Sequence, residues 1–432
     1  MKILVITARF PPGHTGGYQI RCKDIMDALS RRGHEICVVT SRRKGRGKSN
    51  EANIRYPVIR KLHDDFYAGN LIGWLTRRRW SYVPGMLLAS IRELFFGTRD
   101  TGLVSRQIEL LRPDIIYLSH TYTLTKPLLP YLSSCGLPLV YDEGAIGLIE
   151  AWEEKGIWHK LTDEYVSRHH VVQSLKSFVV GVVCRLSGRR LKPRWVWPKD
   201  MRIFFNDELG LRNAVAHGVP VNGAKVIHSG VDTERFRFWL RSRLSTPVRL
   251  IVPGRIEPKK GQIDGVRLLA CLGEHSIDAH LTIVGATRSE PYRSELVEEV
   301  RRLNQEGKVR FMPMVSHTDL AVLYREADIC FFPSYQRFGF SRVPLEAMAS
   351  GCILISYGNE GSDEIIRDRQ SGFLFSPADF ESMASVVREL MLKPEWARAV
   401  AETARREIET DFSLEKYIDR VEQLIAGATG AP

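Results

Sequence analysis

Three charged residues in the second half of the sequence lie where helices are predicted to begin. Arg255 and Lys260 follow an apolar run, 249–253, that predicts a buried strand, and Glu346 lies in the first turn of a later predicted helix. Two cations at a turn from strand to helix can neutralise a diphosphate. A carboxylate beside the amides of a helix N-terminus can accept hydrogen bonds from sugar hydroxyls. The two cations alone are equally compatible with an ordinary solvated loop.

The segment 333–364 must position this carboxylate, and it is predicted to form a loop, a helix, a strand and a second loop that contains glycine. Pro344 suits the first turn of a helix, where a missing N–H group costs little. Gly351 suits the position after the last helical residue. The apolar run 352–356 is typical of a strand that is buried on both faces, and 362–364 is predicted to open another helix.

The first forty residues are predicted to form a strand, a loop, a helix and a second strand. The loop ends in Gly16 and Gly17, at the predicted N-terminus of the helix. A glycine pair at this position lets a ligand approach the backbone and the positive end of the helix dipole. The spacing of the glycines alone favours an ordinary tight turn.

Two polar residues follow or end predicted strands in the first half of the chain. His120 ends the predicted strand 114–120, and Asp142 is one of two acids at the end of the predicted strand 138–144. Functional groups of open α/β sheets gather at the carboxyl ends of strands, so both are candidates for a site. A single histidine at a strand end is more often structural, and the residue pattern alone favours that interpretation.

Length and charge restrict the class of protein. A chain of 432 residues is long enough for two domains with separate cores, and a net charge of +12 favours anionic partners. We recognise no motif for nucleic-acid binding. Seven scattered cysteines without a CxxC pair predict buried, reduced thiols. No signal peptide is recognised and no apolar run reaches the roughly 20 residues that span a bilayer, so we predict a cytoplasmic protein.

Basic and aromatic residues are concentrated in the segments 42–61, 71–96 and 151–202. Tryptophans and apolar residues beside arginines are what a segment at a membrane surface needs. An anionic membrane surface, at the inner face of the membrane, is therefore a candidate partner. For 71–96 a helix that packs in the core with a basic outer face is the favoured alternative.

Residues 345–351, with the sequence LEAMASG, resemble the signature of retaining family-4 glycosyltransferases. Residues 225–236 resemble the interdomain phrase of the same family. The resemblance implies an α/β fold with two Rossmann-like domains that face a cleft, the GT-B architecture. It implies a first domain of residues 1–240, completed by a C-terminal helix at 414–432, and a second domain of residues 241–413.

The same resemblance implies the roles of individual residues. Arg255 and Lys260 are expected to bind the donor diphosphate, and His120 is expected to face the donor sugar, so that these three residues carry catalysis. Asp142 is expected on the acceptor side, and no metal site is expected. Further donor contacts are expected at Gly16, Gly17, Gly254, Met314, Gly339, Phe340, Ser341 and Glu346.

One residue departs from the family pattern. Phe338 stands eight residues before Glu346, where the family has a glutamate that holds hydroxyls of the donor sugar. Gln336 or Ser341 can serve the sugar instead, the donor can be less hydroxylated, or catalysis can be lost. The first two interpretations are favoured because the residues expected at the diphosphate and ribose are present.

These features predict the transfer of a sugar from a nucleotide diphosphate sugar, such as a UDP- or GDP-sugar, without a cofactor. The acceptor is expected to be a glycan, a lipid-linked molecule or another small molecule. A non-catalytic protein that binds nucleotide sugars and a sugar-nucleotide epimerase of the same fold are the alternatives.

Overall fold

A computed structural model of the chain describes residues 1–12, 17–42, 54–64, 82–121, 123–125, 127–144, 147–154, 174, 178, 181–182, 184–186, 188, 197–198 and 200–430. The described chain divides into two compact units. The N-terminal unit comprises Met1–Phe205, Gly210–Val226 and Arg420–Pro432, and the C-terminal unit comprises Asn206–Leu209 and Ile227–Asp419. Gly16 and most of the three basic and aromatic segments lie outside the described residues.

A seven-stranded parallel sheet forms the centre of the N-terminal unit, in the order β3-β2-β1-β4-β5-β6-β7. The strands are β1 Lys2–Thr7, β2 Glu35–Ser41, β3 Val58–Leu62, β4 Ile115–Ser119, β5 Leu139–Glu143, β6 Arg202–Phe205 and β7 Lys225–Val226. The helices up to β7 are α1 Gly17–Arg31, α2 Tyr82–Leu111, α3 Leu128–Ser133, α4 Gly147–Glu154 and α5 Glu208–Ala216.

The C-terminal unit has a six-stranded parallel sheet in the order β10-β9-β8-β11-β12-β13. Its strands are β8 Val248–Pro253, β9 Ala279–Val284, β10 Val309–Met312, β11 Ile329–Phe332, β12 Ile353–Ser356 and β13 Phe373–Leu374. The helices are α6 Gln262–Glu274, α7 Glu290–Arg302, α8 His317–Glu326, α9 Arg342–Ser350, α10 Phe380–Leu392, α11 Pro394–Asp411 and α12 Leu414–Thr429.

Both sheets follow the strand order of a Rossmann fold, which confirms the predicted fold class. The order reverses between β1 and β4 in one sheet and between β8 and β11 in the other. In open α/β sheets a crevice forms at the carboxyl ends of the strands at such a reversal, and ligands bind there. The candidate residues of each unit are therefore best sought at these two edges.

Alternating side chains of the strands explain why each sheet is covered on both faces. In β12, Ile353 and Ile355 belong to one buried cluster, whereas Leu354 belongs to a second. Val252 and Ile251 of β8 divide between the same two clusters. Side chains of successive residues in a strand point to opposite faces, so continuous apolar strands need helices on both sides.

Three further features concern the whole chain. None of the seven cysteines forms a disulfide bond, and all but Cys135 are buried. No helix among the described residues is long and apolar enough to cross a membrane. The end of α12 belongs to the N-terminal unit, where Glu422 lies 2.7 Å from the Nε2 atom of His34 and also accepts a hydrogen bond from Arg32.

Candidate active site

The carboxyl end of β8 leads into the first predicted binding loop of the C-terminal unit. Gly254 follows the strand with a φ angle of +140°, and Gly261 ends a short 3-10 helix, Pro258–Lys260, with a φ angle of +65°. A Cβ atom on Gly261 would lie 2.1 Å from the carbonyl oxygen of Pro333. Glycine is therefore required at this turn, which brings Lys260 next to the end of β11.

The two predicted cations differ in their surroundings. Arg255 is 47 % exposed, and its guanidinium lies 3.1 Å from a carboxylate oxygen of Glu257. Lys260 is only 12 % exposed and donates a hydrogen bond to the carboxylate of Glu360. Burial lowers the pKa of Lys260, and the charge of Glu360 opposes that shift. Arg255 can reach an incoming anion directly, whereas Lys260 is held in one place by its partner.

Glu346 lies in α9, the predicted helix. Ser341 caps this helix, since its hydroxyl accepts a hydrogen bond from the backbone N–H of Val343 at 3.4 Å. The Glu346 carboxylate is buried, and the hydroxyl of Tyr324 donates to it at 3.4 Å. Arg342 lies 3.5 Å from its other oxygen. Both oxygens of the carboxylate thus contact protein groups, and the role of Glu346 at the ribose remains a prediction.

The loop between β11 and α9 contains Phe338, Gly339 and Phe340. The side-chain amide of Gln336 donates to the carbonyl oxygen of Phe338 at 2.9 Å, which fixes the loop internally. Gly339 has a φ angle of +95°. The ring of Phe340 lies against Gly361, where a Cβ atom would be only 2.4 Å from the ring. The two loops that flank α9 and β12 are thus closely packed.

The loop after β12 supplies two carboxylates. Glu360 accepts hydrogen bonds from Lys260 and, at 2.6 Å, from the hydroxyl of Ser334. Glu364 accepts from the backbone N–H of Glu208 at 2.9 Å and lies 2.7 Å from Nε2 of His228. The helix predicted to open at Ser362 is only a 3-10 helix of three residues, Ser362–Glu364. Glu360 was not predicted from the sequence, although its position between Gly358 and Gly361 marks it as part of this loop.

In the N-terminal unit Asp142 is a buried member of an ion pair. Arg21 of α1 donates a hydrogen bond to one carboxylate oxygen, and Tyr117 donates to the other at 2.9 Å, where Ser119 is also in reach at 3.3 Å. The side chain of Asp142 has no exposed surface. Protein groups enclose the carboxylate, and the place of Asp142 on the acceptor side remains a prediction. The residue joins α1 to the sheet, because burial of a charge requires partners of this kind.

His120 follows β4 with a φ angle of +50°. Its ring stacks on Tyr18 at a centroid distance of 5.2 Å and an interplanar angle of 15°. Burial, aided by the charge of Arg9, lowers the pKa of His120 to about 4. The imidazole is therefore neutral near neutral pH, so that one ring nitrogen donates a hydrogen bond and the other accepts one. Gly17, at the start of α1, is exposed.

Met314 lies two residues after the end of β10, and its side chain is 63 % exposed. The structure brings Gly254, Lys260, Gly339, Phe340 and Ser341 into adjoining loops at one edge of the C-terminal sheet. The predicted contact of Met314 with a nucleotide base, like the other predicted ligand contacts, remains a prediction.

Comparison with known proteins defines the class. Residues 237–407 match the model of the family "Glycosyl transferases group 1". The chain resembles a glycogen synthase of Mycobacterium tuberculosis with 25 % identity, over 99 % of this chain and 95 % of the relative. The family match and the fold both resemble glycosyltransferases of the GT-B class, as the sequence predicted. The matched segment lies within the C-terminal unit, Ile227–Asp419.

Solved structures of low sequence identity share the fold. Sucrose-phosphate synthase from Thermosynechococcus elongatus is similar over all of both chains, with a TM-score of 0.67 and 18 % identity. The Anabaena protein HepE in complex with UDP covers 99 % of this chain and 100 % of its own, with a TM-score of 0.66 and 18 % identity. These similarities show that the architecture of this chain is that of GT-B glycosyltransferases.

Proposed function

We propose that the protein is a retaining glycosyltransferase that moves a sugar from a nucleoside diphosphate sugar to a hydroxyl group of an acceptor. The observation that carries the proposal is the position of Lys260. It is a largely buried ammonium group at a strand-to-helix turn, with the exposed guanidinium of Arg255 five residues before it. Such a pair can bind a leaving diphosphate and stabilise its charge.

In the proposed reaction the bond between the anomeric carbon and the diphosphate oxygen breaks, and the electron pair leaves with the diphosphate. The acceptor oxygen forms a bond to the anomeric carbon on the same face. The proton of the acceptor hydroxyl passes to the departing phosphate oxygen. Arg255 and Lys260 stabilise the developing negative charge, Glu346 holds the ribose, and neutral His120 is the candidate of the N-terminal unit for the sugar.

Metal independence is part of the proposal. Among the described residues one group of potential metal ligands occurs, formed by Cys271, His275 and Glu381. Cys271 and His275 lie at the C-terminal end of α6, whereas Lys260 precedes its N-terminal end. In the proposed site the cations of the protein therefore supply the positive charge that a metal would otherwise supply.

A uridine donor is the first to test, because the related fold of HepE was solved with UDP and with UDP-glucose. Purified protein is incubated with UDP-glucose and with GDP-sugars, and the release of nucleoside diphosphate is measured with and without EDTA. We expect release by the wild type in EDTA and almost none by Lys260→Ala. The anomeric configuration of the product, read by NMR, tests retention.

Two outcomes would favour other functions. Binding of a nucleotide sugar without release of any nucleoside diphosphate would identify a binding protein. Phe338, in place of the glutamate of the family pattern, would be consistent with that function. Conversion of the donor into its epimer would identify an epimerase.

For the acceptor we propose a glycan, a lipid-linked molecule or a small molecule. The net charge of +12 favours an anionic acceptor over a neutral one. Flotation with anionic vesicles at low salt tests the membrane part. Absence of binding there would remove the membrane from the list of partners.

A further inference from the structure

We propose that Glu360 is the carboxylate that binds a hydroxyl of the donor sugar and that it also positions Lys260. The inference rests on the proposed transferase function and adds a residue that determines sugar specificity. Three observations support it: the backbone conformation of Glu360, the contacts of its two carboxylate oxygens, and the hydrogen bonds that join its loop to the loop before α9.

The backbone conformation is unfavourable for glutamate. Glu360 has a φ angle of +52°, in the left-handed region, within a loop that also contains Gly358 and Gly361 at +72° and +75°. Residues with a side chain rarely adopt this conformation outside asparagine, aspartate and histidine. Glycine would adopt it without strain. A glutamate at this position therefore points to a requirement for its side chain.

The contacts show what that side chain does. The Glu360 side chain is 7 % exposed, and both of its side-chain hydrogen bonds, from Lys260 and from Ser334, end on the same oxygen, Oε2. Its Oε1 atom has no hydrogen-bond partner among the described residues. An ionised carboxylate accepts at both oxygens, so Oε1 is left to accept a hydrogen bond from a ligand hydroxyl.

The backbone places this oxygen near the predicted donor site. The carbonyl oxygen of Glu360 accepts a hydrogen bond from the N–H of Ser341 at 3.0 Å, directly at the N-terminus of α9. The side chain of the neighbouring Asn359 donates to the carbonyl oxygen of Ser334 at 2.7 Å. The loops after β11 and β12 are thus joined through hydrogen bonds on both sides of the carboxylate.

The other candidate side chains of the loop before α9, those of Gln336, Phe338 and Ser341, carry no negative charge. Phe338 has no acceptor on its side chain, the Ser341 hydroxyl accepts a hydrogen bond from the N–H of Val343, and the amide nitrogen of Gln336 donates to the Phe338 carbonyl oxygen, which leaves the buried Oε1 atom of Gln336 as a neutral acceptor. We propose Glu360 as the carboxylate at the sugar, and the roles expected for Gln336 and Ser341 remain predictions. The carboxylate that is missing from the loop before α9 is supplied by the loop after β12.

The pairing with Lys260 is compatible with diphosphate binding. An ammonium group has three N–H donors, so Lys260 can keep its hydrogen bond to Glu360 and still donate to phosphate oxygens. Glu360 thereby directs the ammonium group while its own Oε1 faces the sugar. One residue then links the binding of the diphosphate to that of the transferred sugar.

The test uses the full chain with three variants, Glu360→Gln, Glu360→Gly and Asn304→Gly. Asn304 is the matched control because it has a φ angle of +53° and an exposed side chain outside the site. Affinities for UDP and for UDP-glucose are measured by calorimetry, and transfer is measured by UDP release. We also compare UDP-glucose with deoxy-sugar analogues that each lack one hydroxyl.

We expect both Glu360 variants to lose about tenfold to 100-fold in affinity for UDP-glucose, because the hydrogen bond between the carboxylate and a hydroxyl of the transferred sugar is lost. The affinity for UDP should change much less, because UDP lacks the transferred sugar. The wild type should reject one deoxy analogue by a similar factor, and Glu360→Gln should no longer reject it. Glu360→Gly relieves the backbone conformation but leaves the largely buried ammonium group of Lys260 without its partner, so we expect it to melt at a lower temperature than the wild type, whereas Asn304→Gly should be as stable as the wild type.

Equal losses for UDP and UDP-glucose would overturn the sugar contact, and so would unchanged discrimination between the analogues in Glu360→Gln. A wild type that binds UDP-glucose but never releases UDP overturns the transferase function, while the ratio of affinities still decides on Glu360. A wild type that binds no nucleotide sugar overturns both.

Discussion

A Cβ atom on Gly261 would lie 2.1 Å from the carbonyl oxygen of Pro333, so the turn after Lys260 and the end of β11 touch through backbone atoms alone. This contact sets the distance between Lys260 and the loop that begins at Ser334. The backbone N–H of Tyr335 donates to the carbonyl oxygen of Lys259 at 2.9 Å and fixes the same junction.

The first prediction concerns this contact. Gly261→Ala adds a methyl group where the φ angle is +65° and the space is filled, so we expect a loss of about 1–3 kcal/mol in the free energy of unfolding. Urea denaturation measures it. The control is Gly273→Ala in α6, where a Cβ atom meets no atom within 4 Å and alanine should stabilise the helix by up to about 1 kcal/mol. Equal stability of the two variants would contradict the prediction.

The second prediction separates the two cations. Arg255→Ala and Lys260→Ala should each lower the rate of transfer about 10²- to 10³-fold, since each removes positive charge from the leaving diphosphate. Only Lys260→Ala should also lower the melting temperature, because it leaves the buried carboxylate of Glu360 without its cation. Lys259→Ala, which removes a 47 % exposed ammonium group, is the control and should change neither quantity much. A fully active Lys260→Ala would refute the proposed site.

The third prediction tests Glu346. Glu346→Gln should weaken UDP binding about tenfold or more, because a neutral amide is a poorer acceptor for the ribose hydroxyls than a carboxylate. Tyr324→Phe removes only the phenol that donates to Glu346 at 3.4 Å and should have a smaller effect. Calorimetry with UDP measures both. Unchanged affinity in Glu346→Gln would mean that the carboxylate serves the fold and not the nucleotide.

The fourth prediction concerns Asp142. Asp142→Asn weakens its pairing with the buried Arg21, so we expect a loss of about 3–5 kcal/mol in stability. The Michaelis constant for the acceptor, measured well below the melting temperature, should change little. Arg21→Met removes the other partner and should destabilise in the same way. A stable Asp142→Asn with a raised acceptor constant would instead restore the acceptor role that the sequence predicted.

The fifth prediction is a pH dependence. Asp100 is buried in the N-terminal unit, and burial raises the pKa of its carboxyl from 3.8 to about 6, although the N–H of His63 donates to it at 3.1 Å. A raised pKa in the folded state means that this group contributes stability below pH 3.8 and that the contribution is lost as the pH rises through 6. An asparagine side chain in its place cannot ionise. Asp100→Asn should therefore be more stable than the wild type by about 1–3 kcal/mol at pH 8, and this advantage should disappear near pH 4.

Guanidinium denaturation of Asp100→Asn and the wild type at several pH values measures this difference directly. At low pH both side chains are uncharged, so the difference in stability measured there gives the effect of the amide on packing alone. A difference in stability that does not depend on pH would show that Asp100 does not titrate in this range.

The sequence indicated the parallel sheets through continuous apolar runs, and Pro344 and Gly351 indicated the bounds of α9 to within two residues. The sequence did not predict the ion pair between Asp142 and Arg21, because the two residues are 121 positions apart and only the packing of α1 on the sheet brings them together. Nor could it predict Glu360, whose side chain meets Lys260 across 100 residues of chain.

Local patterns thus determined what is local: the strands, the helix caps, the glycine turns and the family to which the C-terminal segment is similar. These depend on steric limits and hydrogen bonds between near neighbours, which the residue types express directly. The tertiary structure alone decided which carboxylate meets which cation, since that depends on strand order and on loops that close through backbone contacts such as Gly261 with Pro333. Only the tertiary structure places the carboxylate of Glu360 beside Lys260, and this position makes Glu360 the proposed substitute for the glutamate that Phe338 replaces.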